Sequence, residues 1–333
     1  MVVAQCGRVP ETRCLMRVVF IGASKFGLRC LNEARDLDGC EVVGVVIAPK
    51  QFPISYRPEG VVNVLYADVE SYCQSNDISC RVIRQGMKDE ALFEKVRTWQ
   101  PDMFLVAGWY HMIPKHWRGL APAYGLHASL LPDYSGGAPL VWAMINGEKK
   151  TGITFFQFDD GVDSGPIVGQ AETDIREDDT IATLYARIEG LGIKLLKDHL
   201  PALATGTAVL RPQDESKRRI FPQRGPEDGR IDWDQSSADL FNFIRAQSKP
   251  YPGAFTEWQG RCLSVWSAKN NSVQDSPCAR AGQVLEEAGA MLVQTGKGIL
   301  ELIEVDYEEK TISGREFRSI AGGGRHWANR AAA

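Results

Sequence analysis

The sequence predicts an α/β protein with a doubly wound, mostly parallel sheet, followed by a small β-barrel. In the first half, continuous Val- and Ile-rich runs alternate with stretches of helical periodicity. Such runs are typical of parallel strands that helices cover on both faces. The last third instead has short alternating segments bounded by turn residues, the pattern of antiparallel strands. The chain has 333 residues, more than one hydrophobic core usually holds, so we expect at least two domains.

The predicted strands of the first part are short apolar runs, those of the last part are short alternating segments, and the predicted helices show helical spacing of their apolar residues. The predicted strands of the first part are Arg17–Ile21, Glu41–Ala48, Ser79–Ile83, Asp102–Ala107 and Thr151–Phe158. The predicted helices are Asn63–Cys73, Glu90–Trp99, Asp178–Leu203 and Ser237–Gln247, with further helices following Gly22 and opening at Pro139. The predicted strands of the last part are Ala254–Trp258, Cys262–Trp266, Gly282–Leu285, Met291–Thr295 and Ile299–Val305.

Changes of composition along the chain predict its domain boundaries. We expect a loose extension at 1–15, a first domain at 16–206, a linker at 207–235, a helix and β-barrel at 236–314, and a flexible tail at 315–333. The linker prediction rests on the polar, Pro-rich stretch that follows Arg211. The tail prediction rests on its Gly and Ala content.

Composition and charge exclude several classes of protein. A chain with 44% hydrophobic and 24% charged residues can build a core and is not disordered. Its longest apolar stretch, Val42–Ala48, is far shorter than the roughly 20 residues that span a bilayer. Residues 1–15 carry charges and no apolar segment, so they do not form a secretory signal, and we expect a cytoplasmic protein. The net charge of −4 disfavours a nucleic-acid partner.

Common cofactor motifs are missing from the sequence. The eight cysteines form no CxxC pair and the five histidines form no HxxxH pair, so we expect free thiols and no metal site. The first strand is followed by Gly22-Ala-Ser-Lys-Phe-Gly27, which is not GxGxxG, and no GxxxxGK[ST] occurs. A doubly wound sheet without these motifs points away from dehydrogenases and NTPases.

One histidine and one acidic turn follow consecutive predicted strands. His127 stands in a Ser- and Pro-rich turn, and Asp163 lies in the acidic turn Asp159–Gly165. Ligands of parallel sheets bind beyond the carboxyl ends of the strands, where an imidazole and a carboxylate would together suffice for proton transfer at a carbonyl carbon. Taken singly, His127 also fits a packed or capping histidine, and Asp163 a turn former. Ser129 has no GxSxG around it and fits a turn cap.

This stretch resembles the signature of the folate-dependent formyltransferases. The resemblance runs from His127-Ala-Ser-Leu-Leu-Pro-Asp-Tyr-Ser-Gly-Gly-Ala-Pro139 to Asp159-Asp-Gly-Val-Asp-Ser-Gly165, and continues in Pro250-Tyr-Pro-Gly-Ala-Phe255. The family includes methionyl-tRNA formyltransferase, sugar-nucleotide N-formyltransferases and the hydrolase domain of 10-formyltetrahydrofolate dehydrogenase. The resemblance implies a Rossmann-like domain, an OB-like C-terminal barrel, and 10-formyltetrahydrofolate as formyl donor. The motif residues that support it are Ser129, Leu130, Pro132, Gly136 and Pro139.

The resemblance also implies roles for individual residues. The family's catalytic Asn-His-Asp set maps its His onto His127 and its Asp onto Asp163, but the Asn position holds Gly125. Loss of one oxyanion donor typically costs about 3–4 kcal/mol in the transition state. Three explanations stay open: water or a backbone N–H replaces the Asn, water itself accepts the formyl group, or the protein is a weak or inactive relative. The residues implied in folate binding are Val106, Ala107, Gly108, Trp109, Tyr110, Ile113, Asp159, Asp160 and Gly161.

The acceptor is the point on which members of the family differ. The segment Ala48–Gly60, where transfer-RNA formyltransferases usually carry a basic loop, has only Lys50 and Arg57 as cations. Trp109–Ile113 and Pro250–Trp266 look more like the sugar-nucleotide enzymes, so we expect a small amine acceptor such as a nucleotide-linked amino sugar. The alternatives are 10-formyltetrahydrofolate hydrolase, methionyl-tRNA formyltransferase and a non-catalytic folate-binding relative. The basic linker fits either contact with a diphosphate or a solvated hinge, and a homodimer stays open.

Overall fold

The computed structural model describes residues 15–54, 57–271, 279–285 and 289–321. Its strands are β1 Met16–Ile21, β2 Cys40–Ile47, β3 Gln51–Ile54, β4 Arg57–Val62, β5 Cys80–Val82, β6 Met103–Val106, β7 Ala123–His127, β8 Ser135–Gly136, β9 Lys150–Gln157, β10 Ile167–Asp174, β11 Ile220–Phe221, β12 Ala254–Trp258, β13 Arg261–Asn271, β14 Met291–Gln294, β15 Ile299–Tyr307 and β16 Lys310–Ser313. Its helices are α1 Lys25–Arg35, α2 Val69–Ser75, α3 Glu90–Arg97, α4 Lys115–Leu120, α5 Pro139–Ile145, α6 Ile181–Ala204, α7 Ser237–Gln247 and α8 Gly314–Ala321.

The largest sheet confirms the predicted α/β class. Its seven strands have the order β10-β9-β7-β6-β1-β2-β5. The pairs β1–β2, β1–β6, β2–β5 and β6–β7 are parallel, whereas β9 and β10 are antiparallel. All four residues of β6 and the last four of β1 are buried, which explains why these runs are continuously apolar rather than alternating.

The chain consists of two compact units, each of which is defined by contacts among its own residues. The first comprises Met1–Gly125 and Ile193–Leu210, and the second comprises Leu126–Gly192 and Arg211–Ala333. In the first unit, strand order reverses between β1 and β6, the kind of position where open α/β sheets bind ligands. Helix α1 begins there, because the side chain of Ser24 accepts the N–H of Gly27 at 2.9 Å and caps the helix.

The C-terminal part of the second unit is an antiparallel sheet with its own core. Its strands have the order β12-β13-β15-β14, and β16 pairs with β15. The core includes fully buried Trp233, Leu263 and Phe317, and Nε1 of Trp233 donates to Thr256 Oγ1 at 3.0 Å. The predicted all-β region is thus present as a five-stranded sheet, against which α7 and α8 pack.

Several elements differ from the sequence prediction. The helix predicted from Asn63 begins only at Val69, because Asp68 caps it and Asn63 instead hydrogen-bonds to Ala23 and Leu65. Strands β3, β4, β8, β10, β11 and β16 and helix α4 were not predicted, and β7 was expected before His127 only without bounds. The predicted strand Gly282–Leu285 is reduced to one bridge, Val284 to Val293.

The structure describes part of the predicted tail but almost none of the predicted N-terminal extension. The expected tail begins with helix α8, whose Phe317 and Ala321 are buried in the C-terminal core. The extension predicted at 1–15 lies outside the described residues except for Leu15, as does the tail beyond Ala321. Among the residues that are described, no helix is long and apolar enough to cross a membrane.

Candidate active site

His127 ends strand β7 and meets Asp163 in the second unit. Its Nε2 lies 2.8 Å from the backbone carbonyl of Tyr134, and its Nδ1 lies 3.6 Å from Oδ2 of Asp163. A carbonyl only accepts hydrogen bonds, so Nε2 carries a hydrogen, and Nδ1 is the ring nitrogen that faces the carboxylate. The His127 side chain is 12% exposed and that of Asp163 24%. One proton placed between Nδ1 and Oδ2 can therefore serve both groups and still exchange with a ligand.

Asp163 is held in an unusual backbone conformation. Its φ is +52°, in the left-handed region, which Asp tolerates better than most residues. Its Oδ2 accepts the N–H of Gly136 at 2.8 Å, and its carbonyl accepts Nε2 of Gln213 at 2.8 Å. The carboxylate thus has a fixed orientation toward His127.

The turn after His127 is built by internal hydrogen bonds. Buried Ser129 donates its hydroxyl to the carbonyl of Asp133 at 2.7 Å and accepts the Thr154 hydroxyl through its own carbonyl at 2.7 Å. The same Thr154 oxygen accepts the N–H of Leu131 at 3.1 Å. The peptide bond between Leu131 and Pro132 is cis. Through these contacts, Ser129 stabilises the turn that carries the Tyr134 carbonyl. They support a structural role for this motif residue.

The remaining motif residues form the entry to α5. Gly136 has a φ of +92°, and a Cβ there would lie 2.4 Å from the carbonyl oxygen of Phe221. Glycine is therefore required at this position. Pro139 occupies the first turn of α5, where a missing N–H costs no hydrogen bond. Leu130 lies earlier, in the turn after His127. Its side chain is so close to Gly152 that a Cβ on this glycine would contact it.

Tyr134 contributes to the site through its side chain as well as its carbonyl. Its hydroxyl donates to Glu148 Oε1 at 2.7 Å and accepts from Asn146 Nδ2 at 3.0 Å. Its ring stacks on Phe221 with centroids 4.4 Å apart, and the Arg219 guanidinium lies 4.8 Å from its centroid. Burial raises the pKa of the Tyr134 hydroxyl to about 12, so the phenol is neutral at physiological pH.

The acidic turn Asp159–Gly165 has its own internal support. Asp159 Oδ1 accepts the N–H of Gly161 at 3.0 Å and the hydroxyl of Ser164 at 2.7 Å. A Cβ on Gly161 would lie 2.0 Å from that hydroxyl oxygen. Asp160 is exposed. These contacts account for Asp159 and Gly161 as turn formers, and a role of the three residues in folate binding stays a prediction.

The other expected folate segment, Val106–Ile113, lies in the first unit and follows β6 at the reversal of strand order. Val106, Ala107 and Ile113 are buried. Gly108 has a φ of +62°, and a Cβ there would lie 1.9 Å from the Ser24 hydroxyl. The segments that follow β1 and β6 therefore approach each other closely at Ser24 and Gly108.

Aromatic side chains surround this segment. Tyr110 donates its hydroxyl to Asn63 Oδ1 at 3.2 Å, and its ring lies 5.5 Å from that of Phe52. Nε1 of Trp109 and Nε2 of His111 are buried without a hydrogen-bond partner. Apolar walls with a few unpaired polar atoms are what a flat, heteroaromatic ligand requires. The sequence missed Asn63 and Phe52 because their contact with Tyr110 spans 47 and 58 positions.

Gly125 lies two residues before His127 on strand β7, so the two positions share one face of the strand. It is buried, and it supplies no side-chain donor.

The described cysteines Cys30, Cys40, Cys73, Cys80 and Cys262 are free thiols, and Cys6, Cys14 and Cys278 lie outside the described residues. Within the described ranges no group of three or more His, Cys, Asp or Glu residues could hold a metal ion.

Comparison with known proteins gives matches over both parts of the chain. The family described as formyl transferase matches residues 16–200, and the family described as formyl transferase, C-terminal domain, matches residues 224–320. A methionyl-tRNA formyltransferase of Solibacter usitatus is 34% identical over 318 residues, which cover 91% of this chain and 94% of the relative.

Solved structures share the fold. The N-formyltransferase from Helicobacter canadensis, in complex with folinic acid and dTDP-3-aminofucose, aligns with a TM-score of 0.65 at 17% identity over 86% of this chain and 99% of that one. The methionyl-tRNA formyltransferase from Clostridium thermocellum aligns with a TM-score of 0.52 at 22% identity, over 78% of this chain and 96% of that one.

Proposed function

Since the chain belongs to the formyl transferase family, we propose that it transfers the formyl group of 10-formyltetrahydrofolate to the amine of a small acceptor, an amino sugar linked to a nucleotide. The observation that carries the transfer chemistry is the contact of His127 Nδ1 with Asp163 Oδ2 at 3.6 Å. The reaction needs one proton to leave the acceptor amine and one to reach the leaving nitrogen of the folate. The His127–Asp163 pair can accept the first proton as a base and then donate it to the folate nitrogen as an acid.

The steps follow from the atoms that this pair presents. When bound, 10-formyltetrahydrofolate supplies an electrophilic formyl carbon on N10. The Nδ1 lone pair of His127, supported by Asp163, accepts a proton from the attacking amine as the new carbon–nitrogen bond forms. The protonated imidazole, fixed by the Tyr134 carbonyl at Nε2, then returns that proton to N10 as the bond from N10 to the formyl carbon breaks. Atoms and charge balance without another reactant.

The first unit offers groups suited to the folate. The buried Nε1 of Trp109 and the buried Nε2 of His111 have no hydrogen-bond partner, and a pterin or aminobenzoate edge would satisfy them. Burial lowers the pKa of His111, so its imidazole is neutral and suited to an uncharged heterocycle. The folinic acid named with the Helicobacter canadensis structure supports a reduced folate as the ligand class.

Charge favours a small acceptor over a transfer RNA. Within residues 224–320, the C-terminal match, 15 acidic side chains outnumber 11 basic ones. Transfer-RNA binding depends on cations that neutralise phosphates. Three of the linker cations are already paired: Arg218 with Glu215, Arg219 with Asp133, and Lys217 with Asp214. The dTDP-3-aminofucose named with the Helicobacter canadensis structure is an acceptor of the proposed class.

Methionyl-tRNA is the second candidate acceptor. It is favoured by relatives named methionyl-tRNA formyltransferase that are 30–34% identical over nearly the whole chain. The Solibacter usitatus protein and this chain match along more than nine-tenths of each other, so both parts of the relative have a counterpart here.

The acceptor is tested by mixing the purified protein with 10-formyltetrahydrofolate and measuring tetrahydrofolate formation. Parallel reactions contain a nucleotide-linked amino sugar, methionyl-tRNA, or no amine. We expect release that depends on the amino sugar and a formylated sugar product of matching amount. Release with methionyl-tRNA alone would assign the second candidate. Equal release without amine would identify water as acceptor, and folate binding without release would identify a non-catalytic relative.

A further inference from the structure

Two side chains of the linker reach back to the turn that carries Asp163. Gln213 donates both hydrogens of its amide, to the carbonyl of Asp163 at 2.8 Å and to that of Gly165 at 2.7 Å. These contacts span 50 and 48 positions, so they fix the linker against the acidic turn. One of these carbonyls belongs to Asp163 itself, the residue whose backbone is in the left-handed region, and the other lies two residues after it.

Arg218 reinforces the same turn. Its Nη1 donates to the carbonyls of Val162 and Asp163 at 3.2 and 3.4 Å and to the Ser135 hydroxyl at 2.6 Å. Its Nη2 donates to Gln213 Oε1 at 2.9 Å, which orients the Gln213 amide so that its nitrogen points at the turn. Glu215 holds the other edge of the guanidinium, and the Arg218 side chain is only 11% exposed.

The linker also fixes the donor to the Asp163 carboxylate. Strand β11 pairs in parallel with β8, so that Phe221 lies opposite Gly136. The N–H groups of Ser135 and Gly137 donate to the carbonyls of Arg219 and Phe221 at 3.0 and 2.9 Å. The intervening N–H of Gly136 is therefore directed away from the linker strand, and it donates to Asp163 Oδ2.

We propose that Gln213 and Arg218 are positioning residues, which set the backbone conformation of Asp163 and thereby the aim of its carboxylate at His127. This inference rests on the catalytic role proposed for Asp163. A left-handed backbone is unfavourable at a residue other than glycine, and it persists only where surrounding contacts enforce it. Five hydrogen bonds from two side chains enforce it here, four to carbonyls of the turn and one between the side chains.

The consequence for the reaction is specific. If the turn relaxes around Asp163, its carboxylate moves relative to Nδ1, whereas Asp159 keeps its own hydrogen bonds with Gly161 and Ser164 and the proposed folate segment Val106–Ile113 is unchanged. A misplacement of about 1 Å in a catalytic group can lower a rate roughly 100-fold. Loss of these residues is therefore expected to lower kcat and to leave KM for the formyl donor nearly unchanged.

The test compares Gln213→Ala, Gln213→Glu and Arg218→Ala with Lys217→Ala. Gln213→Glu keeps the size of the side chain but removes its donors, so it tests the hydrogen bonds even if the alanine variant folds poorly. We expect all three to lose about 10- to 100-fold in kcat with KM for 10-formyltetrahydrofolate within about twofold. Lys217 is adjacent to Arg218, 75% exposed and paired with Asp214, so its removal controls for the loss of a nearby cation and should leave kcat unchanged.

A double-mutant cycle separates positioning from general support of the fold. Gln213→Glu is also made in the Asp163→Asn background, and residual turnover is measured at high enzyme concentration. A positioning residue has nothing to act on once the carboxylate is gone, so the second change should cost less than about twofold. Arg218→Lys keeps the charge but not the fork of donors, and should recover only part of the rate.

Two results would overturn the inference. One is unchanged kcat in Gln213→Glu and Arg218→Ala while Asp163→Asn is inactive. The other is a full 10- to 100-fold loss on top of Asp163→Asn, which would mean that the linker acts independently of the carboxylate. Full activity of Asp163→Asn itself would instead contradict the proposed function, and the two failures are thereby distinguished.

Discussion

The Nε2 hydrogen of His127 is donated to the backbone carbonyl of Tyr134, at 2.8 Å. The tautomer of the imidazole is therefore set by the main chain, and Nδ1 is left facing Asp163. The direction of proton transfer then depends on a turn of the chain, not on a further ionisable side chain.

Replacing either member of the pair should remove turnover. We expect His127→Ala and Asp163→Asn each to lower kcat by at least about 100-fold, because each removes a group needed for proton transfer. Tetrahydrofolate release measures the rate, and circular dichroism checks the fold. Asp198→Asn, at an exposed carboxylate paired with Lys194, is the matched control and should retain full activity. Full turnover in either active-site variant would contradict the assignment.

Tyr134→Phe distinguishes the role of the Tyr134 backbone carbonyl from the role of its hydroxyl. The carbonyl and the contact with His127 remain, so kcat should stay within about threefold of the wild type. Loss of the hydrogen bonds to Glu148 and Asn146 should lower the free energy of unfolding by about 1 kcal/mol, measured by urea denaturation. A large loss of rate in a variant of normal stability would show that the phenol takes part in the reaction.

Gly125→Asn restores the family's amide two residues before His127. The side chain would lie on the His127 face of β7, where its N–H can stabilise charge on the formyl oxygen. We expect kcat to be maintained or raised, by up to about 100-fold. Gly125→Leu has a similar shape without the donor and should not share the gain. A collapse of kcat in Gly125→Asn with the fold intact would mean that substrate occupies this space.

Gly136→Ala should damage both stability and activity. The added Cβ would lie 2.4 Å from the Phe221 carbonyl oxygen, which forces β8 away from β11 and displaces the N–H that binds Asp163. We expect a loss of about 2–4 kcal/mol in unfolding free energy and a lower kcat. Gly39→Ala is the control, because Gly39 has a φ of +89° but nothing within 4 Å of the added Cβ. Equal stability losses in the two variants would refute the steric argument.

The buried ion pair of Asp179 with Arg187 should make stability fall in acid. Burial of Asp179 favours its neutral form, but hydrogen bonds from Arg187, the Arg176 N–H and Thr183 outweigh burial and hold the pKa below its usual value. The stabilisation is therefore complete above the unfolded pKa of about 3.9, and it disappears as pH falls through the lower folded value.

Asp179→Asn measures this contribution. The variant leaves Arg187 without its charged partner, so it should lose about 3 kcal/mol in unfolding free energy at pH 7. Urea denaturation of both proteins between pH 7 and pH 3 should show the difference shrinking only below about pH 4. A difference that does not depend on pH would mean that the charge of Asp179 contributes nothing.

The sequence determined the parts of the fold that local pattern encodes. Fully apolar runs such as Val18–Ile21 could only be strands buried on both faces, and β1, β2, β6 and β9 were predicted to within one or two residues. Short elements were missed, such as hairpin β3–β4 and strand β11, because they are too short to show a pattern and are defined by pairing with a neighbour.

For the candidate site, the sequence was enough to propose which two side chains carry the chemistry. His127 and Asp163 stand in turns after predicted strands, and strand direction was enough to expect them to meet. Only the tertiary structure decided how they are aimed: the Tyr134 carbonyl on Nε2, the left-handed Asp163, and Gln213 and Arg218 behind it. The contacts of Gln213 and Arg218 join residues some 50 positions apart, and neither composition nor periodicity records which distant donor a carbonyl will meet. The chain's own pattern predicts its strands and its candidate reactive groups, and three-dimensional packing specifies their orientation.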